Sequence, residues 1–275
     1  MYNFLIDGHK KYGFKKNMLC KSVLKCDDEA IKENVIIAPW WEPTIFKDIE
    51  SELIVDTSIK VWNCKLFDKN ITYIKTGIGA SVCTDVILAL GNSNCKKIIF
   101  IGSVGALDEK INIGDIIIPT LSVCGDGVCR YLEKDLTKDC FGEKYYPDTK
   151  LNKILIKNTE KICKDNNISY HIVPNFSVDT IFAQFAHLDY IMKLGCKSIE
   201  METAAAFKTC SICNIPIAAI FNVSDNSIKN KSIYNGKTES ELKYRKKSEM
   251  KLFPKSYTAY FKINYSLVKI KTHLK

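Results

Sequence analysis

The sequence predicts an α/β fold, on three observations. Short apolar runs recur along the chain, each closes on small or polar residues, and helix-forming stretches follow several of them. Residues 71–75 (Ile-Thr-Tyr-Ile-Lys) read as a strand, Thr76-Gly77-Ile78-Gly79-Ala80-Ser81 as a tight turn, and residues 82–90 as an apolar helix. Residues 97–101 form the next strand, which ends in Gly102-Ser103-Val104-Gly105-Ala106-Leu107, and Asn112-Ile113-Gly114-Asp115 turns the chain into a strand over 116–119. Glycines in these turns let backbone amides approach a ligand, and a tight strand-to-helix turn also needs them for steric reasons.

The apolar run 196–199 leads into Glu200-Met201-Glu202 and then a helix rich in alanine, Thr203-Ala204-Ala205-Ala206-Phe207. Two carboxylates therefore stand at a strand's carboxyl end, where open α/β sheets bind ligands and a helix N-terminus tolerates negative charge. The same pair would serve as caps around a core methionine. Residues 215–223 form a buried strand that ends in Ser224-Asp225-Asn226, so Asp225 occupies a neighbouring strand tip.

In this order, the four motifs resemble the nucleoside phosphorylase and nucleosidase superfamily, which includes hexameric purine nucleoside phosphorylase, uridine phosphorylase and methylthioadenosine nucleosidase. The resemblance spans roughly residues 35–226. It implies a three-layer α/β/α sandwich with a mixed, curled central sheet, and an enzyme that cleaves the N-glycosidic bond of purine nucleosides. It implies that Glu202 binds the ribose hydroxyls, with Met201 along the sugar. Glu200 matches a second acid near the ribose, with a structural role at the strand end as the alternative. Asp225, beside Ser224, matches the aspartate that protonates the departing purine; pyrimidine-cleaving members lack it, which favours a purine. Val178-Asp179-Thr180-Ile181-Phe182 resembles the base-stacking segment with one residue inserted. Phe182 is expected to stack on the base rather than Ile181, because an aromatic face holds a flat heterocycle more strongly. Gln184 and His187 follow closely enough to reach the base edge.

Departures from the family pattern bear on the reaction. The phosphorylase loop Gly-Asp-Pro-x-Arg is replaced by Ala38-Pro39-Trp40-Trp41-Glu42-Pro43, and Phe100 stands where a second phosphate-binding arginine is expected. A dianion leaving water needs fixed positive charge, so the usual phosphate site is lost and hydrolysis is preferred over phosphorolysis. Gly79, Ser81 and Ser103 then form a phosphate or water site, and Glu42 is expected to orient the attacking water. One alternative is a phosphorylase, with inorganic phosphate as co-substrate, whose anion site is rebuilt from Ser103, nearby amides and lysines such as Lys75 or a neighbour's side chain. Another is a catalytically silent nucleoside-binding protein. Arg245 matches loosely an arginine that swings onto the catalytic aspartate. No cofactor and no metal is expected.

With 275 residues and 46% hydrophobic content, the chain can bury one full core, so residues 1–275 read as a single domain. Residues 1–34 are an N-terminal extension, expected as an added strand or lid, and 237–275 a terminal helix and tail. No apolar run reaches the ~18 residues that cross a bilayer, and the N-terminus lacks a signal peptide's pattern, so the expected location is cytoplasmic. The twelve cysteines are scattered and read as reduced thiols. Cys210-Ser211-Ile212-Cys213 lies inside a helix and reads as core, while Cys124 and Cys129 flank a glycine-rich loop expected to rim the site or a subunit contact. The net charge of +9 is accounted for by a solvated basic helix, without a nucleic-acid or membrane partner. The resemblance implies a homo-oligomer, a dimer or hexamer, acting on a small purine nucleoside.

Overall fold

The computed structural model describes residues 1–15, 18–46, 49–66, 68–234 and 236–261, the side chains of 252–261 excepted. The tail beyond 261 lies outside the described residues. In chain order the strands are β1 (Asn34–Ala38), β2 (Ile49–Asp56), β3 (Lys60–Leu66), β4 (Lys69–Lys75), β5 (Lys97–Ala106), β6 (Ile116–Gly125), β7 (Lys144–Tyr145), β8 (Tyr170–Val178), β9 (Ser198–Glu200) and β10 (Ile217–Asn226). The helices are α1 (Tyr2–Lys11), α2 (Leu19–Val23), α3 (Ala80–Leu90), α4 (Thr149–Asn166), α5 (Leu188–Lys193), α6 (Thr203–Cys213) and α7 (Glu239–Phe261).

Side chains alternate across a strand, and here both faces are apolar, which marks a sheet covered on both sides. Val35 and Ile37 of β1, Ile98 and Phe100 of β5, and Ala219 and Phe221 of β10 join one core with α1, α2, α3 and α6. Their neighbours Ile36, Ile99, Ile101, Ala218 and Ile220 join a second core with Leu151, Leu155 and Ile162 of α4. Helix α7 packs alongside α4 and β10. The result is the three-layer α/β/α sandwich expected from the sequence.

The sheet runs β10-β6-β8-β9-β5-β1-β4-β3-β2 and mixes parallel with antiparallel pairs. Strand β5 also pairs with β10, so β10, β6, β8, β9 and β5 close on themselves, which is the curl. Gly102 to Ala106 therefore continue β5 rather than forming a loop. Closure brings β9 and β10 tightly against β5: a Cβ on Gly105 would lie 3.1 Å from both Asp225 Oδ2 and Ile199 Cγ2. A side chain there would press on Asp225, so glycine is favoured by close approach, not by turn conformation. The β5–β10 register shifts between Val223 and Asp225, leaving Ser224 as an extra residue at the site's edge.

Residues 1–34 differ from the expected strand or lid. They form α1 and α2, because Ile6, Leu19, Cys20 and Leu24 find an apolar face on α3. Tyr2 donates its hydroxyl to Leu88 O (3.0 Å) and the Cys20 thiol donates to Ala89 O (3.5 Å), fastening the extension to the end of α3. Among the described residues no helix is long and apolar enough to cross a membrane.

Candidate active site

The tips of β5, β9 and β10 open into a cavity of about 480 Å³, roofed by residues from five further segments. Glu200, the last residue of β9, is 7% exposed and its carboxylate is fully engaged. Oε2 accepts the backbone N–H groups of Glu202 and Thr203 (2.8 and 2.9 Å), which are the free amides at the start of α6. Oε1 accepts from Asn175 Nδ2 (2.8 Å) and from the Ser177 and Thr203 hydroxyls (2.5 and 2.7 Å). Five donors exhaust the lone pairs of one carboxylate. Glu200 lies on the cavity wall, but its oxygens hold the strand-to-helix junction in place.

Glu202, two residues on, is freed by that arrangement to face the cavity while only 4% exposed. Its Oε1 accepts the Gly79 N–H at 2.7 Å. Burial pushes this carboxyl up, the Glu200 carboxylate pushes it further, and the Gly79 amide pulls it back. Gly79 has φ 120°, a conformation open to glycine, and that geometry aims its amide at Glu202. Met201 lies between the two acids on the cavity wall.

Asp225 reaches the cavity from β10 and is 5% exposed. Burial raises its pKa, while the Ser224 hydroxyl, Lys237 and Arg245 pull it down. Ser224 Oγ lies 2.6 Å from Asp225 Oδ1 and 3.1 Å from Val104 O. Its single hydrogen serves one acceptor at a time. When Asp225 is protonated, the carboxyl donates to Ser224 Oγ and the serine donates to Val104 O, so all three groups are satisfied.

Arg245 enters from α7. Its Nη2 donates to Ser103 Oγ (3.2 Å), and its Nε–H is shared between Asn222 Oδ1 (2.9 Å) and Glu249 Oε1 (3.0 Å). Helix α7 docks on the turn at Gly114, where a Cβ would lie 2.7 Å from the Tyr244 ring. Tyr244 donates to Asp115 Oδ1 (3.2 Å), and Asn222 Nδ2 donates to Ser248 Oγ (2.7 Å). These contacts fix the guanidinium beside Ser103.

Several expected site residues lie elsewhere. Phe182 is 77% exposed and faces the Tyr234 ring at 5.4 Å, whereas Ile181 lines the cavity. Ile181 lies in the turn just before the 3-10 segment at 183–187 and lines the cavity with Gln184, while Phe182, the residue before that segment, packs outward on Tyr234. Glu42 is off the cavity wall, although Pro39 and Trp40 of the same connection are on it. It pairs with Lys75 Nζ at 2.8 Å with its side chain 44% exposed, and that lysine holds its carboxyl below the usual range. The pair also occupies Lys75. Ser81 is exposed on the first turn of α3, and the Gly79 amide is committed to Glu202. His187 lines a second, smaller cavity of about 270 Å³, which shares Gln184 with the first. The structure thus unites Glu200, Met201, Glu202, Ser224, Asp225, Ser103 and Gln184 on one wall.

The sequence reading passed over Asn175 and Ser177, which position Glu200. The available signal was two polar residues at period two, both fully buried on β8.

The sequence profile of the phosphorylase superfamily matches residues 46–250, and the chain belongs to that superfamily. It is 27% identical, over 195 residues, to a 5'-methylthioadenosine/S-adenosylhomocysteine nucleosidase of Staphylococcus aureus, covering 67% of this chain and 82% of the relative. The fold is similar to that of uridine phosphorylase from Vibrio fischeri (TM-score 0.67, 20% identity, 90% of this chain and 95% of the other). It is similar also to purine nucleoside phosphorylase from Toxoplasma gondii (0.68, 18%, 85% and 93%) and AMP nucleosidase from Bacteroides thetaiotaomicron (0.62, 14%, 85% and 94%). The chain is an enzyme of the nucleosidase or phosphorylase kind.

Proposed function

We propose that the protein cleaves the N-glycosidic bond of purine nucleosides, with water as the preferred acceptor. The observation that carries this reading is the pairing of Glu202 and Asp225 across one cavity, each buried and pushed toward its neutral form. In its carboxylate form Glu202 accepts both ribose hydroxyls, and those bonds strengthen as the sugar becomes oxocarbenium-like. Met201 packs along the sugar. Asp225, kept protonated by burial and by its bond to Ser224, gives its proton to the purine ring nitrogen, and the base leaves neutral. Ile181 and Gln184 form the base side of the cavity. The curated nucleosidase relative and the replaced phosphate loop support hydrolysis. With Glu42 turned away, no side chain is assigned to activate water: the oxocarbenium-like carbon captures a positioned water, whose surplus proton passes to solvent.

A second reading, phosphorolysis, is favoured by one observation, the Arg245 guanidinium beside Ser103 on the cavity wall. There it offers charge and donors to an anion that the missing loop no longer binds. The enzyme is proposed to work in the cytoplasm as a homo-oligomer without a cofactor; a single monomer peak in size-exclusion chromatography at assay concentration would remove the oligomer.

The deciding experiment is release of free base from a panel of purine nucleosides, including methylthioadenosine, with and without phosphate. Release independent of phosphate is expected. Strict dependence on phosphate would transfer the reaction to the second reading, and tight binding without release from any substrate would leave a silent binder.

A further inference from the structure

Outside the cavity, the loop that follows β6 gathers three metal-ligating side chains. Cys124, Asp126 and Cys129 are 0%, 6% and 0% exposed, and their ligand atoms all lie within 4.8 Å of one another. Asp126 Oδ1 accepts the backbone N–H groups of Val128 and Cys129, both at 3.0 Å, which locks the carboxylate in the loop. Its other oxygen, Oδ2, accepts from both thiols, at 3.7 Å from Cys124 Sγ and 3.6 Å from Cys129 Sγ. Among the described residues no lysine, arginine or histidine forms an ion pair with Asp126.

A neighbouring cluster makes the contrast. Glu133, Cys140 and Glu143 also converge, but there Lys138 bonds both glutamates (3.1 and 3.0 Å) and Lys208 bonds Glu133 at 2.6 Å. That cluster has its cations already. The Cys124 cluster instead holds a buried carboxyl with no cation, whose partners at Oδ2 are the two weak thiol donors that a metal would replace.

We propose that Cys124, Asp126 and Cys129 bind a soft divalent cation, zinc being the best match. A tetrahedral centre with metal–sulfur bonds of about 2.3 Å and metal–oxygen bonds of about 2.1 Å has sulfur–oxygen edges of about 3.6 Å. The two sulfur–oxygen separations match these edges, and the third, between the sulfurs, lies within the 4.8 Å that the three ligand atoms span. Two thiolates and one carboxylate select zinc over magnesium or calcium, which prefer oxygen-only shells. Binding replaces the two thiol protons, which leave to solvent. The fourth position falls to water, since the nearby Cys140 sulfur already accepts from Lys208 Nζ at 3.4 Å. The Gly127 N–H donates to Asp179 Oδ2 at 2.9 Å, so the cation would brace the segment that carries Ile181 and Gln184. Its role is structural and independent of the reaction assigned to the cavity.

The test uses the full chain, purified with a non-chelating reductant, equilibrated with Zn²⁺ or Co²⁺ and freed of excess by gel filtration. About one cation per chain is expected. The cobalt form should show thiolate-to-metal charge-transfer absorption, and the zinc form a higher melting temperature that a chelator reverses. Cys129→Ser and Asp126→Asn should each weaken retention at least about tenfold, while Cys163→Ala, altered in a distant core, should retain the metal. Should the site variants fail to fold, the cobalt spectrum of the unaltered protein decides, because only thiolate ligation produces that band. Absence of a retained cation or of the band, or unchanged retention by Cys129→Ser, would overturn the proposal. So would a chain two hydrogens lighter through a Cys124–Cys129 disulfide that takes up no metal.

Discussion

The junction after β9 and the connection after β1 both leave a buried strand and both carry glutamate, yet their carboxylates end in opposite environments. Glu202 is 4% exposed and faces the cavity; the Glu42 side chain is 44% exposed and faces Lys75. At the first junction the placement is set within three residues, because Glu200 ties off the amides of α6 and leaves Glu202 one direction to take. At the second, nothing local holds the carboxylate, and a cation from β4 captures it. A motif predicts geometry where its own hydrogen bonds enforce that geometry.

The contrast can be broken most forcefully at Asp225 and Glu202. Asp225→Asn is expected to lower kcat/KM on purine nucleosides by about 10²–10⁴, and far less on a riboside whose leaving group needs no proton; an equal loss on both would remove the acid role. Glu202→Gln is expected to cost about 10²–10³, carried in kcat more than in KM, because the diol bonds tighten in the transition state. Steady-state kinetics on the two substrate classes reads both.

Acidity offers a second handle on the same pair. Both carboxyls are raised above their ordinary range, so the folded chain keeps protons that the unfolded chain has released. Their contribution to stability is complete below the unfolded carboxylate range and is lost as pH rises through the raised folded values. Asp225→Asn and Glu202→Gln cannot ionise and should melt above the unaltered protein at alkaline pH, with the gap closing toward acid. Activity should rise with pH as Glu202 ionises and fall as Asp225 loses its proton, giving a bell-shaped profile whose acid limb disappears in Glu202→Gln; a flat pH–rate profile would count against this.

Smaller effects separate positioning from chemistry. Glu200→Gln presents a donor where five donors converge and should destabilise the fold by about 1–3 kcal/mol in urea titration, with turnover lost through a displaced Glu202. Glu42→Ala is expected to leave turnover within about twofold, since an exposed ion pair contributes little. A large loss of kcat there would restore a water-activating role and erase the distinction between the two connections.

Much of the site was legible because it is built from strand tips. The apolar runs before Glu200 and Asp225 read as buried strands ending in acids, and pairing of both with β5 at Gly105 brings those ends together. The segment after β8 was less legible. Whether Ile181 or Phe182 faces the cavity depends on the turn before the 3-10 segment, where the larger ring packs on Tyr234 from a distant part of the chain. Arg245 was expected, by a loose match, to reach the catalytic aspartate; docking of its helix on Gly114 and Asn222 places its guanidinium on Ser103 instead. The first 34 residues carried too few apolar positions to disclose that α3 offers them a face.

By itself, then, the sequence determined the two-sided apolar strands, the Glu-Met-Glu junction and the aspartate at the next strand's tip, because each follows from patterns read over a few residues. Tertiary structure alone decided the closure of β5 on β10, the direction of Glu42, the exchange of Phe182 for Ile181 and the convergence of Cys124 and Cys129 on Asp126. Those depend on contacts between segments far apart in the chain, where packing and charge choose among conformations that local preference leaves open.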